Sequence, residues 1–128
     1  MKLLIVDDES LARERLVNLV LELYPDATID EAVNGLDALD KISNDLPDIL
    51  LLDIRMPRMD GLELANHLLH YDSPPAIVFT TAYQDHALSA FDANAVDYLL
   101  KPIRKDRLKT AIERAAIINS SKLSSLNV

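Results

Sequence analysis

The stretch Asp48 to Gly61, DILLLDIRMPRMDG, constrains the fold more than any other part of this chain. Four consecutive aliphatic residues, Ile49 to Leu52, run into a carboxylate, Asp53, and turn residues follow at Met56-Pro57 and Asp60-Gly61. A short apolar run bounded by turns is the pattern of a strand covered on both faces. Lys2 to Asp7 repeats it, with Leu3 to Val6 aliphatic and Asp7, Asp8 and Glu9 closing the run. Strands of this kind call for a parallel sheet with helices on each side. Open α/β sheets of that type gather their chemistry at the carboxyl ends of the strands.

The rest of the chain supplies the intervening elements. Ser10 is placed to cap a helix carrying Ala12, Leu16, Leu19, Val20 and Leu23 at helical spacing, and Pro25-Asp26 closes it. Ala27 to Ala32 alternates weakly, as a short strand near an edge would. Asn34-Gly35 reads as a turn, after which Leu36, Leu39 and Ile42 stripe a second helix that ends before Pro47. Asp60 and Glu63 have capping-box spacing ahead of the stripe Leu62, Ala65, Leu68 and Leu69. Ala76 to Thr80 is strand-like and ends in the hydroxyls Thr80 and Thr81. A helix is predicted over Asp85 to Ala93, a fifth strand over Val96 to Leu100, and a last helical face from Leu108, Ile112, Ala115 and Ala116. Asn119 to Val128, rich in Ser and Asn, reads as the start of a linker or a flexible tail. Regular alternation over residues 1–118 predicts an α/β fold, a parallel sheet with helices on both faces; as a flavodoxin-like (βα)5 doubly wound sheet its strand order would be 2-1-3-4-5.

Composition narrows the function classes. The chain has 21 acids against 13 bases, a formal charge of −8, which disfavours direct binding of nucleic acid or anionic membranes. With no cysteine, thiolate metal sites and disulfides are excluded. No apolar run approaches a membrane span, and Asp7 comes too early for a signal peptide, so a cytoplasmic domain is expected.

In the predicted topology the groups just past the strand ends converge: Asp7, Asp8, Asp53, Thr81 and Lys101. Carboxylates held together repel one another, and a divalent cation relieves the repulsion. All-oxygen ligation, with His67, His70 and His86 lacking ligand partners at metal spacing, favours Mg²⁺ or the similar hard ion Mn²⁺. A nucleophilic carboxylate, a hard cation, a hydroxyl and a lysine together suit phosphoryl transfer, with Asp53 forming an aspartyl-phosphate. Lys101 and Thr81 would then meet the phosphoryl oxygens.

These residues make the chain resemble a response regulator receiver domain of two-component systems, over roughly Lys2 to Ile118. The matching features are Asp7-Asp8-Glu9, Asp53 within LLDIRMP-RMDG, Thr81-Ala82 and Lys101-Pro102. The resemblance implies that Asp53 is the phosphoacceptor, that Asp8 is the main metal carboxylate with Asp7 assisting, and that the backbone carbonyl of Arg55 completes the metal site. It further implies Thr81 and Tyr98 as the switch pair, Lys101 as the phosphate-binding lysine, and a cis Lys101-Pro102 bond. The implied partner is a sensor histidine kinase. The implied signalling face comprises the fourth helix, fifth strand and fifth helix, including Tyr98, Arg104, Lys105 and Arg107, and supports a phosphorylation-promoted homodimer. Asp8 to Leu16 and Phe79 to Tyr83 are most similar to receivers that precede a LytTR-type DNA-binding domain, with Ser10 where that subgroup usually has proline. DNA would then be reached through an output domain absent from this chain, an excised receiver.

Three other functions compete with this one. A stand-alone receiver would act through protein–protein contacts alone. An aspartate-nucleophile phosphatase generally carries a second acid two residues after the nucleophile, where Arg55 stands. A flavin-binding module would need a phosphate loop after the first strand, where Asp7-Asp8-Glu9-Ser10 repels phosphate.

Overall fold

The structure, a computed structural model, describes residues 1–82 and 95–126, with side chains described as far as Ile118. Its strands are β1 (Lys2–Val6), β2 (Thr28–Ala32), β3 (Ile49–Asp53), β4 (Ala76–Thr81) and β5 (Asp97–Leu100). All pair in parallel, in the order β2-β1-β3-β4-β5. The helices among the described residues are α1 (Ser10–Leu23), α2 (Gly35–Asn44), α3 (Gly61–Leu68) and α4 (Lys105–Leu126). The helix predicted over Asp85 to Ala93 lies outside the described residues. The predicted fold class and strand order are those observed.

Burial explains why the aliphatic runs form the central strands. Every residue of β3 and β4 is buried, whereas β2, paired only with β1, buries Ala32 alone. Successive side chains alternate between two cores. Leu3, Ile5, Leu51, Val78 and Leu99 pack with Leu16, Val20, Leu108 and Ile112 beneath α1 and α4. Leu4, Val6, Leu50, Leu52 and Phe79 pack with Ala38, Ile42, Leu64 and Leu68 beneath α2 and α3. Full burial of one such leucine contributes about 1.5–3 kcal/mol, so a polar residue on either face of β3 would be severe.

Several local expectations change. Ser10 is the first helical residue rather than the cap; Glu9 takes that position in extended backbone with no side-chain cap bond. Its N–H is instead held by Asp7 Oδ1 at 2.9 Å. Asn34 caps α2 by accepting from the Asp37 N–H, and Gly35 belongs to the helix instead of a turn. The buried face of α2 is Gly35, Ala38 and Ile42, while Leu36 is exposed. In α4, Leu108, Ala111, Ile112 and Ala115 keep the i, i+3, i+4, i+7 spacing, and Ala116 falls outside that stripe and is exposed. The α4 backbone stays helical through Leu126, where a linker or tail was predicted from Asn119. The Asp60–Glu63 capping box forms as read, with the Glu63 N–H 2.9 Å from Asp60 Oδ1.

A carboxylate that the sequence did not single out braces β5 against α4. Asp97 is buried and takes a bidentate pair of bonds from Arg107, at 2.7 and 2.9 Å, and one from Arg114 at 3.2 Å. Burial alone would raise its pKa. The Arg107 hydrogen bonds, the Tyr98 N–H and the charges of both arginines outweigh that and hold the carboxyl below its ordinary range.

Gly61 fixes the distance between α3 and the end of β3. Its N–H donates to the Ile54 carbonyl at 2.8 Å, and a Cβ there would overlap the Asp53 carbonyl oxygen and lie 3.0 Å from Ile54 Cα. Backbone cannot move aside as a flexible side chain can. Gly61→Ala is therefore predicted to lose about 1–3 kcal/mol of stability, read as a lower urea midpoint at unchanged slope. A midpoint equal to that of the parent chain would show that α3 is not held by this contact.

Candidate functional site

The register of the sheet assembles the site. β1 and β3 are neighbours, so Asp7 and Asp8, which follow β1, stand beside Asp53 at the end of β3. Carboxylate oxygens of Asp7, Asp8 and Asp53 all lie within 4.8 Å of one another. Lys101 reaches in from the end of β5, with Nζ 2.8 Å from Asp7 Oδ2 and 3.4 Å from Asp53 Oδ2. The Lys101-Pro102 bond that follows is cis.

Strand alternation explains this convergence. Asp7, Asp53 and Lys101 each come two residues after Ile5, Leu51 and Leu99, so all three continue the α1/α4 face of the sheet. Their burial is graded. Asp7 has no exposed surface, Asp53 exposes 4 %, and Asp8 is exposed at the mouth.

The electrostatics follow from that packing. Burial and, after it, the negative charge of Asp7 push the Asp53 carboxyl up to about 7, with a smaller push from Asp8. Lys101 opposes this through its charge and its hydrogen bond without cancelling it. Burial disfavours the Lys101 ammonium, but the Asp7 hydrogen bond and the charges of Asp53 and Asp7 outweigh it and raise its pKa. Lys101 thus bridges two acids, an arrangement that the sequence reading, which gave it to a phosphoryl group, did not include.

Thr81 and Tyr98 are placed differently from the charged groups. Asp53 pairs in register with Thr80, and Thr80 continues the same face as Val78. Thr81 continues the Ile77–Phe79 face, as does Tyr98, which is half-buried against that core and in register with Phe79. Strand alternation thus puts Thr80, and not the Thr81 that the resemblance implies, on the Asp53 face. Thr81 is fully buried at the last position of β4, and its carbonyl accepts the Lys101 N–H at 2.7 Å. The Thr80 hydroxyl is buried without a hydrogen-bond partner among the described residues. Arg55 is exposed in the loop beyond β3, whose backbone passes through the left-handed region at Arg58 (φ 69°). His67 and His70 are exposed on and just after α3, away from the acids, and His86 and Tyr83 lie outside the described residues.

The donor set fits a hard divalent cation: three carboxylates at mutual ligand distance, with no nitrogen or sulfur ligand among them. Both oxygens of Asp7 already accept hydrogen bonds, from the Glu9 N–H and from Lys101. Asp8 and the second oxygen of Asp53 are the least committed donors. Among the described residues, no helix is long and apolar enough to cross a membrane.

The comparisons with known proteins agree with this geometry. The family model for the response regulator receiver domain matches residues 3–113. The positive alginate biosynthesis regulatory protein of Pseudomonas aeruginosa is 47 % identical over 127 residues, covering 98 % of this chain and 51 % of that protein. The sensory transduction protein LytT of Bacillus subtilis is 39 % identical over 119 residues, covering 93 % of this chain and 49 % of its own length. The chain spans about half the length of these curated relatives. Among solved structures, the response regulatory domain of protein mrkE from Klebsiella pneumoniae superposes with a TM-score of 0.84 at 34 % identity, covering 94 % of this chain and 99 % of that one. With a family match over most of its length and relatives of the same kind, the chain belongs to the response regulator receiver domains of two-component systems.

Proposed function

We propose that Asp53 accepts a phosphoryl group from the phosphohistidine of a sensor histidine kinase. The observation that carries this reading is the meeting of Asp53, Asp8, Asp7 and Lys101 at one rim of the sheet. An Asp53 oxygen attacks phosphorus in line, forming a P–O bond as the P–N bond to the kinase imidazole breaks, and the imidazole nitrogen keeps the electron pair and takes up a proton. Bound Mg²⁺ or Mn²⁺ supplies charge neutralisation for the transferring oxygens. Asp8 and Asp53 would hold that ion, with Asp7 and the Arg55 carbonyl assisting. Lys101, kept near by Asp7, gives its Asp53 bond over to a phosphoryl oxygen. Thr81 donates its hydroxyl to another, and Tyr98 follows it on the opposite face.

The output in this reading is a change of partner. The relatives' names and double length favour a transcription regulator whose DNA-binding domain lies outside this chain. A twin receiver would meet the β5–α4 face, where Arg104 is largely exposed and lies 3.7 Å from the exposed Asp106. Arg107, already paired with Asp97, contributes less than the sequence implied. Arg55 stands two residues after Asp53, where such phosphatases carry a general acid, a role that an arginine does not fill, which argues for slow hydrolysis rather than phosphatase turnover.

Incubation with Mg²⁺ and acetyl phosphate should add one phosphoryl group by mass, and Asp53→Asn should abolish the addition. Sustained release of phosphate over many turnovers would instead favour the phosphatase. With beryllofluoride, which mimics the phosphoryl group, light scattering should report twice the protomer mass, and an unchanged mass would remove the dimer.

The raised Asp53 carboxyl gives a further expectation with a defined sign. The folded state binds that proton more tightly than the unfolded chain does. Without a divalent cation, stability should therefore fall as pH rises from about 4 to the folded value of about 7, and level off above it. Asp53→Asn should be more stable than the parent chain at pH 8 by about 1–3 kcal/mol, with the gap closing toward pH 4. Millimolar Mg²⁺ should narrow the gap at pH 8 by binding only the folded parent site. Denaturant melts that are parallel at both pH values would contradict it.

A further inference from the structure

We infer that Arg13 is a positioning residue for the pocket, orienting Asp8 through the peptide bond between Asp7 and Asp8. This rests on the metal-binding reading given above. Arg13 lies one turn into α1, with its side chain 17 % exposed. Its Nη1 donates to the Asp7 carbonyl oxygen at 2.8 Å, while its Nε donates to Glu31 Oε1 on β2 at 3.0 Å. One guanidinium therefore joins the end of β1 to the neighbouring strand from above.

The contact matters because of what Asp8 lacks. Among the described residues, the Asp8 side chain has no hydrogen bond or ion pair, and it is exposed. Its direction is set only by its backbone. Asp7, by contrast, is held at every polar atom: its N–H by the Ala32 carbonyl at 3.1 Å, its carboxylate by Glu9 N–H and Lys101, and its carbonyl by Arg13. The carbonyl bond fixes the plane of the Asp7–Asp8 peptide, and that plane sets where Asp8 points. A planar fork serves two acceptors at fixed angles, which a lysine ammonium on a flexible stem does not. Glu31 locks the other edge of the fork and offsets its charge. Groups of this kind, one bond behind the ligands, commonly change metal affinity 10- to 100-fold when removed.

The test is calorimetric titration of the chain with Mg²⁺, paired with acetyl phosphate phosphorylation rates across Mg²⁺ concentrations. Arg13→Ala should raise the Mg²⁺ Kd about 10-fold. It should raise the Mg²⁺ concentration for half-maximal rate by the same factor, yet leave the rate at saturating Mg²⁺ within about 2-fold of the parent. Arg13→Lys should recover only part of the loss, and Glu31→Gln, which keeps an oxygen acceptor, should shift the Kd less than Arg13→Ala. A clamp that served only to join β1 and α1 would lower the melting temperature and leave the Kd unmoved; that result overturns the inference. A lowered rate at saturating Mg²⁺ with a normal Kd also overturns it. If Arg13→Ala does not fold, Arg13→Lys and Glu31→Ala decide by the same two readouts. Failure of the parent chain itself to bind Mg²⁺ would sink the metal-binding reading, and this inference with it.

Discussion

Two carboxylates that repel one another are held at one rim of the sheet by a single ammonium. Asp7 is fully buried, Asp53 nearly so, and Lys101 bonds to both. Removing a carboxylate from water without a partner costs several kcal/mol, and the Lys101 ammonium offsets part of that cost for both. One lysine does not fully compensate two acids, and Asp53 keeps a carboxyl raised to about 7. That residual imbalance makes the pocket receptive to further positive charge. The sheet holds the groups in place: its two central strands, β1 and β3, are nearly all aliphatic and deliver their terminal acids side by side.

Much of this was legible in the sequence, for a physical reason. Strands covered on both faces must be continuously apolar, so Leu3 to Val6 and Ile49 to Leu52 announce themselves, and the acids that end them stand out by contrast. Strand order is less directly written, because doubly wound sheets take more than one order and alternation alone does not choose between them. Less was legible where several residues of one type compete for a role. Leu36 reads as core by hydrophobicity but is exposed, because the buried face of α2 is Gly35, Ala38 and Ile42, with Gly35 packed closely on Met59. Ser10 reads as a cap, yet the acidic turn before it is already ordered by the Asp7 side chain.

Contacts between charged groups distant in sequence were the least legible. Nothing in the sequence pairs Lys101 with Asp7, 94 positions away, or selects Asp97 among the many acids as the one that Arg107 and Arg114 surround. Arg13 belongs to the same class. Its helical position is evident from sequence, but its two acceptors are a backbone carbonyl and a side chain on a different strand. Composition counts such residues as surface charge. Only the packing of β2 beside β1 brings Glu31 within reach of the helix that follows β1.

The two faces of the sheet divide the work between them. Asp7, Asp53 and Lys101 continue the face covered by α1 and α4, whereas Thr81 and Tyr98 continue the opposite one. An event at Asp53 must therefore cross the plane of the sheet to reach Tyr98. Adjacent strand ends give one link between the faces, the hydrogen bond that the Lys101 N–H donates to the Thr81 carbonyl at 2.7 Å. In the proposed reaction Lys101 and Thr81 turn to the same phosphoryl group, one from each face. Two groups drawn to one anion from opposite sides would pull on that shared hydrogen bond, and the half-buried Tyr98 lies on the same face as Thr81. Asp97, its neighbour in sequence, accepts the Tyr98 N–H and both α4 arginines, so the same short strand ties the far face of the pocket to the exposed surface of α4.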